Sequence, residues 1–444
     1  MKASLGAKYP KKTLIKISDL GFIPVNSTVA PIRQIKKYHF VLLVLVGIIY
    51  LGSRTVPPVV TPALPALSAL SARQQGNQYV GSAACLSCHK NIVETHRLTA
   101  HYRTSQPASA TSIKGSFEPG KNKFIYNRLA EVDMESKDDG FWQTASLGGT
   151  PMQSCRFDIV IGSGKNGQTY LYWKDDYLYQ LPVSYYVPPH EWGNSPGYPK
   201  TFPLFTRQIP AHCLECHGTY ARSEVVPDSG TRYPGREIMY GVDCERCHGP
   251  GAKHVTWHAD HPGEKTGKYI LNAKLMGRQQ RLDACALCHS GARKEIKPTF
   301  SFQTGDTLDQ FSTPAYSMDS LSNLDVHGNQ YGLLLSSKCF LKSDQMDCSS
   351  CHNVHVYEAN NLQVFSQRCM NCHNGKDHPF CAMPEVVKSQ MTSNCIDCHM
   401  PLLPSKKIFM QLADSTRSRP DLIRTHRIAI YAANTKKFMK AHKN

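Results

Sequence analysis

Asp243-Cys244-Glu245-Arg246-Cys247-His248-Gly249-Pro250-Gly251-Ala252-Lys253-His254 contains the pattern by which this 444-residue chain is read. Its core, Cys244-x-x-Cys247-His248, recurs as Cys85-Cys88-His89, Cys213-Cys216-His217, Cys285-Cys288-His289, Cys348-Cys351-His352, Cys369-Cys372-His373 and Cys395-Cys398-His399. With 17 Cys and 20 His in the chain, chance would supply on the order of 0.03 such pentapeptides. Seven occur.

The spacing has a chemical reason. Two thiols three positions apart lie on one side of a helical turn and reach both vinyl groups along one porphyrin edge. The following His is brought under the ring as an axial ligand. Paired zinc knuckles also use CxxC, but zinc gives no reason for a His after every second Cys. The sequence therefore predicts seven covalently bound haem c groups, with His89, His217, His248, His289, His352, His373 and His399 as proximal ligands.

Haem also alters how composition is read. The hydrophobic fraction is 41% and the mean hydropathy −0.38, below a typical globular balance. Porphyrin is expected to make up the missing apolar volume. The expected fold is mainly α with long loops, packed around a haem stack, with a small antiparallel β insert at about 120–185. The expected divisions are a basic segment 1–38, a signal peptide or anchor 39–53 and a Pro/Ala-rich linker 54–78. A haem 1 region 79–115, a β-rich insert 116–210, haems 2–4 in 211–300, haems 5–7 in 301–430 and a basic tail 431–444 follow.

The net charge is +17, but residues 1–38 carry +7 of it and residues 405–444 carry +8. The body between holds only +2, and haem propionates would turn it acidic. A nucleic-acid partner is therefore not expected. Phe40–Leu51 is uncharged and follows Lys36-Lys37, which suits a signal peptide or an uncleaved anchor with the rest facing outward. The expected location is the periplasm or the outer face of the cytoplasmic membrane. Three cysteines lie outside the motifs. A Cys339–Cys381 disulfide and two unbridged thiols stand as equal readings; Cys155 has no evident partner.

Between the first two motifs, Lys123–Asn127, Arg156–Ile161 and Thr169–Trp173 read as strands. Lys174-Asp175-Asp176 reads as the turn of a hairpin into Tyr177–Leu181. Cys85–Arg103 reads as helix, and sheet is expected only in the insert.

Thirteen non-motif histidines remain, and leaving out His39 and His442 gives eleven for seven distal positions. The candidates are His101, His254, His327, His355 and His426, then His212, His378, His190 and His96. His355 lies three residues after His352, so one turn can present the two to different haems. His254 stands similarly beyond Gly249-Pro250-Gly251. The supply suffices for bis-His ligation throughout, while Met, Lys or water at one haem stays open.

Tyr79-Val-Gly-Ser-Ala-Ala-Cys-Leu-Ser-Cys-His89, Gly241–His254, Met346-Asp-Cys-Ser-Ser-Cys-His-Asn-Val-His355 and Cys395-Ile-Asp-Cys-His-Met-Pro401 resemble multihaem cytochromes c. The group is similar to the tetrahaem cytochrome of ammonia oxidisers, hydroxylamine oxidoreductase and pentahaem nitrite reductase. The resemblance spans roughly residues 79–430. It implies stacked haem pairs and bis-His ligation, with His254, His355 and His426 serving haems other than their neighbours. The Lys-ended motif typical of the nitrite reductases is missing, and the tyrosine cross-link of the hydroxylamine oxidoreductases has no sequence signature, so neither activity carries over. Electron relay between a membrane-side donor and another redox protein, a quinone-oxidising membrane complex among the expected partners, is the leading expectation. An oxidoreductase acting on a small nitrogen or sulfur compound at one open haem, and a haem-bearing subunit of a respiratory membrane complex, are the alternatives.

Overall fold

Strand residues between the first two motifs alternate in burial, and that alternation builds the body of the protein. The computed structural model describes residues 78–376, 380–381, 393–412 and 418–441, all within the unit Leu64–Asn444. The basic N-terminal segment, Phe40–Leu51, the Pro/Ala linker and His378 lie outside the described residues.

After a short strand β1 (Ser105–Pro107), four strands form an antiparallel meander: β2 (Lys123–Ile125), β3 (Ala130–Lys137), β4 (Gly140–Leu147) and β5 (Thr150–Arg156). On β3 the residues Ala130, Val132 and Met134 are buried and those between are not, the period of a half-buried strand. Leu147 pairs with Thr150 across Gly148-Gly149, both at positive φ (57° and 80°), the two-residue turn that matches strand twist.

A second sheet is larger. Strands β6 (Ile159–Ile161), β7 (Gly167–Lys174), β8 (Tyr177–Gln180), β9 (Val183–Tyr186) and β10 (Glu191–Asn194) form its centre. The β7–β8 hairpin closes across Asp175-Asp176, where Lys174 pairs with Tyr177. Beyond it, β11 (Gly218–Ala221) pairs separately with β14 (Ile238–Tyr240), while β12 (Glu224–Val226) and β13 (Gly230–Arg232) extend the large sheet. Strands β15 (Arg293–Glu295) and β16 (Ser312–Pro314) make a small pair. The hairpin β17 (Leu402–Leu412) and β18 (Arg419–Arg424) joins the large sheet through Gly193 opposite Leu412. The full sheet has ten strands.

Its two faces bury two cores. Val160 and Tyr170 pack with Phe124, Val132, Met134, Phe157 and Trp192 under the meander. Ile159, Leu171 and Leu178, one residue out of phase, pack with Tyr233, Ile238 and Leu214. Leu214 stands between Cys213 and Cys216, so this second core seats a CxxCH motif directly on the sheet.

The mainly α expectation is therefore wrong. Ten antiparallel strands share one sheet, and strands continue well outside residues 120–185. The haem motifs need only a single helical turn each, so seven of them add little helix. The expectation that porphyrin replaces a conventional core also fails for the sheet, which buries large aromatic side chains of its own; each contributes about 1.5–3 kcal/mol. The helix after Cys85 is shorter than expected, α1 (Ser82–His96), and ends before a 3₁₀ turn at Tyr102–Thr104. Among the described residues no helix is long and apolar enough to cross a membrane.

Candidate haem-binding site

Each CxxCH motif begins or occupies a helical turn. The first lies in α1, and the next two fill α2 (Ala211–His217) and α3 (Cys244–His248). Beyond α4 (Ala252–Asp260), the fourth ends α5 (Arg278–His289). Helices α6 (Gln330–Leu335) and α7 (Lys338–Lys342) intervene, and the fifth then starts the 3₁₀ turn Cys348–Ser350. The sixth ends α8 (Leu362–Met370), and the seventh starts α9 (Ile396–His399), which is followed by α10 (Ala432–Ala441). Such short helices need caps. The Asp243 carboxylate accepts from Cys244 N at 2.8 Å, and Asp347 accepts from Ser349 N at 2.8 Å.

The histidines pair across the fold. Ring centres lie 6.4 Å apart for His89 and His254 and 6.2 Å for His248 and His355. The separation is 6.2 Å for His352 and His426 and 6.1 Å for His289 and His101. Two metal–imidazole bonds of about 2.0 Å, plus about 1.15 Å from each nitrogen to its ring centre, give about 6.3 Å. The four pairs thus have the spacing that one iron between two imidazoles requires. Three are near parallel, at 18°, 20° and 24°; His289 and His101 cross at 71°.

Hydrogen bonds set the ring orientation. Nδ1 faces a backbone carbonyl in His248 (Leu271 O, 2.8 Å), His254 (Lys268 O, 2.8 Å) and His399 (Ala429 O, 3.0 Å). In His217 it faces Thr104 Oγ1 at 2.9 Å. A proton held on Nδ1 leaves Nε2 as the lone-pair nitrogen, which is the tautomer a metal needs. Burial pushes His101 and His426 down to about 4, with neighbouring imidazoles adding to the effect. Both are therefore neutral and competent as ligands at neutral pH.

The cysteines order the motifs in space; their thiols stand in for the thioether sulfurs of a haem-loaded chain. Cys85 neighbours Cys244, Cys216 neighbours Cys288, Cys285 neighbours Cys348, and Cys369 neighbours Cys395. Cys247 lies within electrostatic reach of Cys285 and Cys288, and Cys351 within reach of Cys372. The motifs therefore run 1, 3, 4, 5, 6, 7 in space, with motif 2 beside motif 4. Residues inside and beside the motifs tie these mounts together. Arg246 Nη2 donates to Glu215 O at 3.1 Å, and Arg281 in α5 donates to Asp347 at 2.5 Å.

Among the described residues no three His, Cys, Asp or Glu side chains converge on a metal ion, whereas a zinc knuckle needs four donors. The residues fit haem c instead: paired thiols on one turn, a His after each, and imidazoles facing one another across an iron-sized gap.

Of the predicted distal histidines, the structure brings His101, His254, His355 and His426 opposite motif histidines. His327 is within electrostatic reach of His217 but forms no ring pair with it, and His212 and His190 face no motif imidazole. His96 is buried against backbone, with Nδ1 at 3.2 Å from Val354 O and Nε2 at 3.1 Å from Val242 O. His258 was not among the candidates. Its ring centre is 4.6 Å from that of His254, and its buried Nε2 has no hydrogen-bond partner. The spacing of four from His254 to His258 on α4 was the available signal. Cys339 and Cys381 are not bridged; Cys339 lies near Cys351, and Cys381 near Cys398.

The family Cytochrome c554 and c-prime matches residues 202–249, which span the second and third motifs. No curated protein matches the chain. Among solved structures, the crystal structure of the outer cell wall cytochrome OcwA is similar with a TM-score of 0.46 and 17% identity. That likeness covers 82% of each chain. The family match and the site residues support a multihaem c-type cytochrome with covalently bound haem c and an electron-transfer role.

Proposed function

We propose that this multihaem c-type cytochrome relays electrons outside the cytoplasm through seven haem c groups, between a membrane-side donor and another redox protein. The observation that carries the reading is the set of four pairs, each of a motif histidine with a non-motif histidine, at 6.1–6.4 Å. Bound haem supplies a one-electron Fe(III)/Fe(II) couple. The chain supplies the rest. His89 with His254, His248 with His355, His289 with His101, and His352 with His426 would hold four haems between paired imidazoles, and a haem held so would be closed to small substrates. The sequence of neighbouring thiols keeps successive attachment edges adjacent, so no site is isolated from the others. The segment from His352 to His355 holds ligands for two haems, and the segment from His248 to His254 does the same. Shared segments of this kind fix neighbouring haems relative to one another at little conformational cost.

A redox titration of the purified full chain, followed by optical and EPR spectroscopy, tests this. Low-spin ferric centres should account for at least four irons, with no optical change on adding nitrite, hydroxylamine or cyanide.

One observation favours a second reading. Among the described residues His217 faces no imidazole at ligating distance. A small nitrogen or sulfur compound binding at haem 2 would make the protein an oxidoreductase. A high-spin ferric signal that shifts with one of those three compounds would select that reading.

A further inference from the structure

Glu245 lies between the two cysteines of the third motif and is only 4% exposed. Its carboxylate receives backbone N–H groups from two other segments. Oε1 accepts from Val80 N at 3.0 Å and Gly251 N at 2.7 Å. Oε2 accepts from Gly81 N at 2.7 Å and Val80 N at 3.2 Å. Burial pushes this carboxyl above its ordinary range, and the N–H donors facing both oxygens pull it back toward the ionised form.

The three segments held this way have different tasks. Val80-Gly81 leads into α1, which carries Cys85, Cys88 and His89. Glu245 sits in α3, which ends in His248. Gly251 leads into α4, which carries His254. Ala252 N donating to Gln78 O at 3.1 Å adds a direct backbone tie at the same junction. We propose that Glu245 is a positioning residue that clamps both axial ligands of haem 1 to the mount of haem 3. Its buried negative charge also favours the ferric state of these two haems. This rests on the haem reading above, specifically on haem 1 being held by His89 and His254.

The charge effect follows from position. A carboxylate shielded from water by protein interacts strongly with a nearby change from Fe(III) to Fe(II). Backbone N–H groups offset part of that charge but do not cancel it.

The test uses the haem-loaded full chain as wild type, H254A, Glu245→Ala and Glu245→Gln. H254A shows what loss of the haem 1 distal ligand looks like: one low-spin ferric centre becomes high-spin. Glu245→Ala should reproduce that spectrum, because α4 keeps the Ala252–Gln78 bond but loses the carboxylate that joins Gly251 to Val80 and Gly81. Glu245→Gln keeps one acceptor oxygen and the side-chain size, so it should retain every low-spin centre while one or two midpoint potentials rise. Glu245→Ala with an unchanged low-spin count overturns the clamp. A Glu245→Gln titration superimposable on wild type overturns the charge effect, and it remains decisive if the alanine variant does not fold. H254A retaining every low-spin centre would remove haem 1 ligation itself, and the proposal with it.

Discussion

Thr104→Val tests how one short turn tunes a haem that the turn itself does not mount. Thr104 closes the 3₁₀ turn Tyr102–Thr104, just after His101, and its Oγ1 lies 2.9 Å from His217 Nδ1. The same short turn thus serves two haems. An Nδ1–H donating to oxygen raises the basicity of the ligating nitrogen and stabilises ferric iron. A hydrogen bond of this kind is worth about 0.5–1.5 kcal/mol net. At about 59 mV per 1.4 kcal/mol for a one-electron couple, its loss should raise one midpoint by about 20–60 mV. Valine keeps the shape but leaves a partly buried N–H unpaired, with a further stability cost of about 1–3 kcal/mol. Spectroelectrochemical titration of wild type against T104V reads the first effect, and denaturant unfolding reads the second. Midpoints that are unchanged, or that move down, would refute the argument that this hydroxyl acts through His217.

His101→Ala should abolish one low-spin EPR signal of crossed-plane type, that of the pair at 71°, and leave the three near-parallel centres intact; loss of several signals together would contradict the pairing. Burial holds His101 and His426 at about 4 when folded, against about 6.5 unfolded. The unfolded chain therefore binds more protons between these values, so stability is full above pH 6.5 and falls toward pH 4. Each residue contributes up to about 3 kcal/mol, and an iron–nitrogen bond moves the lower limit further down; denaturant midpoints that stay flat from pH 7 to 4.5 would contradict this. Leu214→Ala empties a site 1% exposed beneath the second motif and should cost about 2–5 kcal/mol in urea unfolding. Gly241 has φ +70°, and an added Cβ would lie 2.1 Å from Tyr102 O, so Gly241→Ala should destabilise the chain measurably and disturb the turn that carries His101.

The haem chemistry could be read from residue type and spacing alone, because a CxxCH turn is a local object. The distal histidines were partly legible. His254 and His355 stand out by lying close in sequence to the motif histidines His248 and His352, but all four face their partner histidines only through tertiary packing. The Cys339–Cys381 question could not be decided without coordinates, since a disulfide depends on tertiary placement, and the two thiols are not bridged in the fold. The sheet was least legible. Residues Leu402–Leu412 contain Pro404 and adjacent Lys406-Lys407, which argue against a strand by propensity. They pair because Gly193, lacking a Cβ, admits the Gln411 carbonyl; a Cβ there would lie 2.7 Å from it. Long-range pairing of this kind leaves no signal in a local window. The buried ties, Glu215 with Arg246 and Glu245 with the α1 entry, were invisible for the same reason.

The most direct test is a spin count on the fully oxidised, haem-loaded chain together with its intact mass. The account predicts the mass of seven attached haems and at least four low-spin ferric irons, one of them of crossed-plane type. A mass equal to the amino acids alone, or fewer than four low-spin centres, would contradict it.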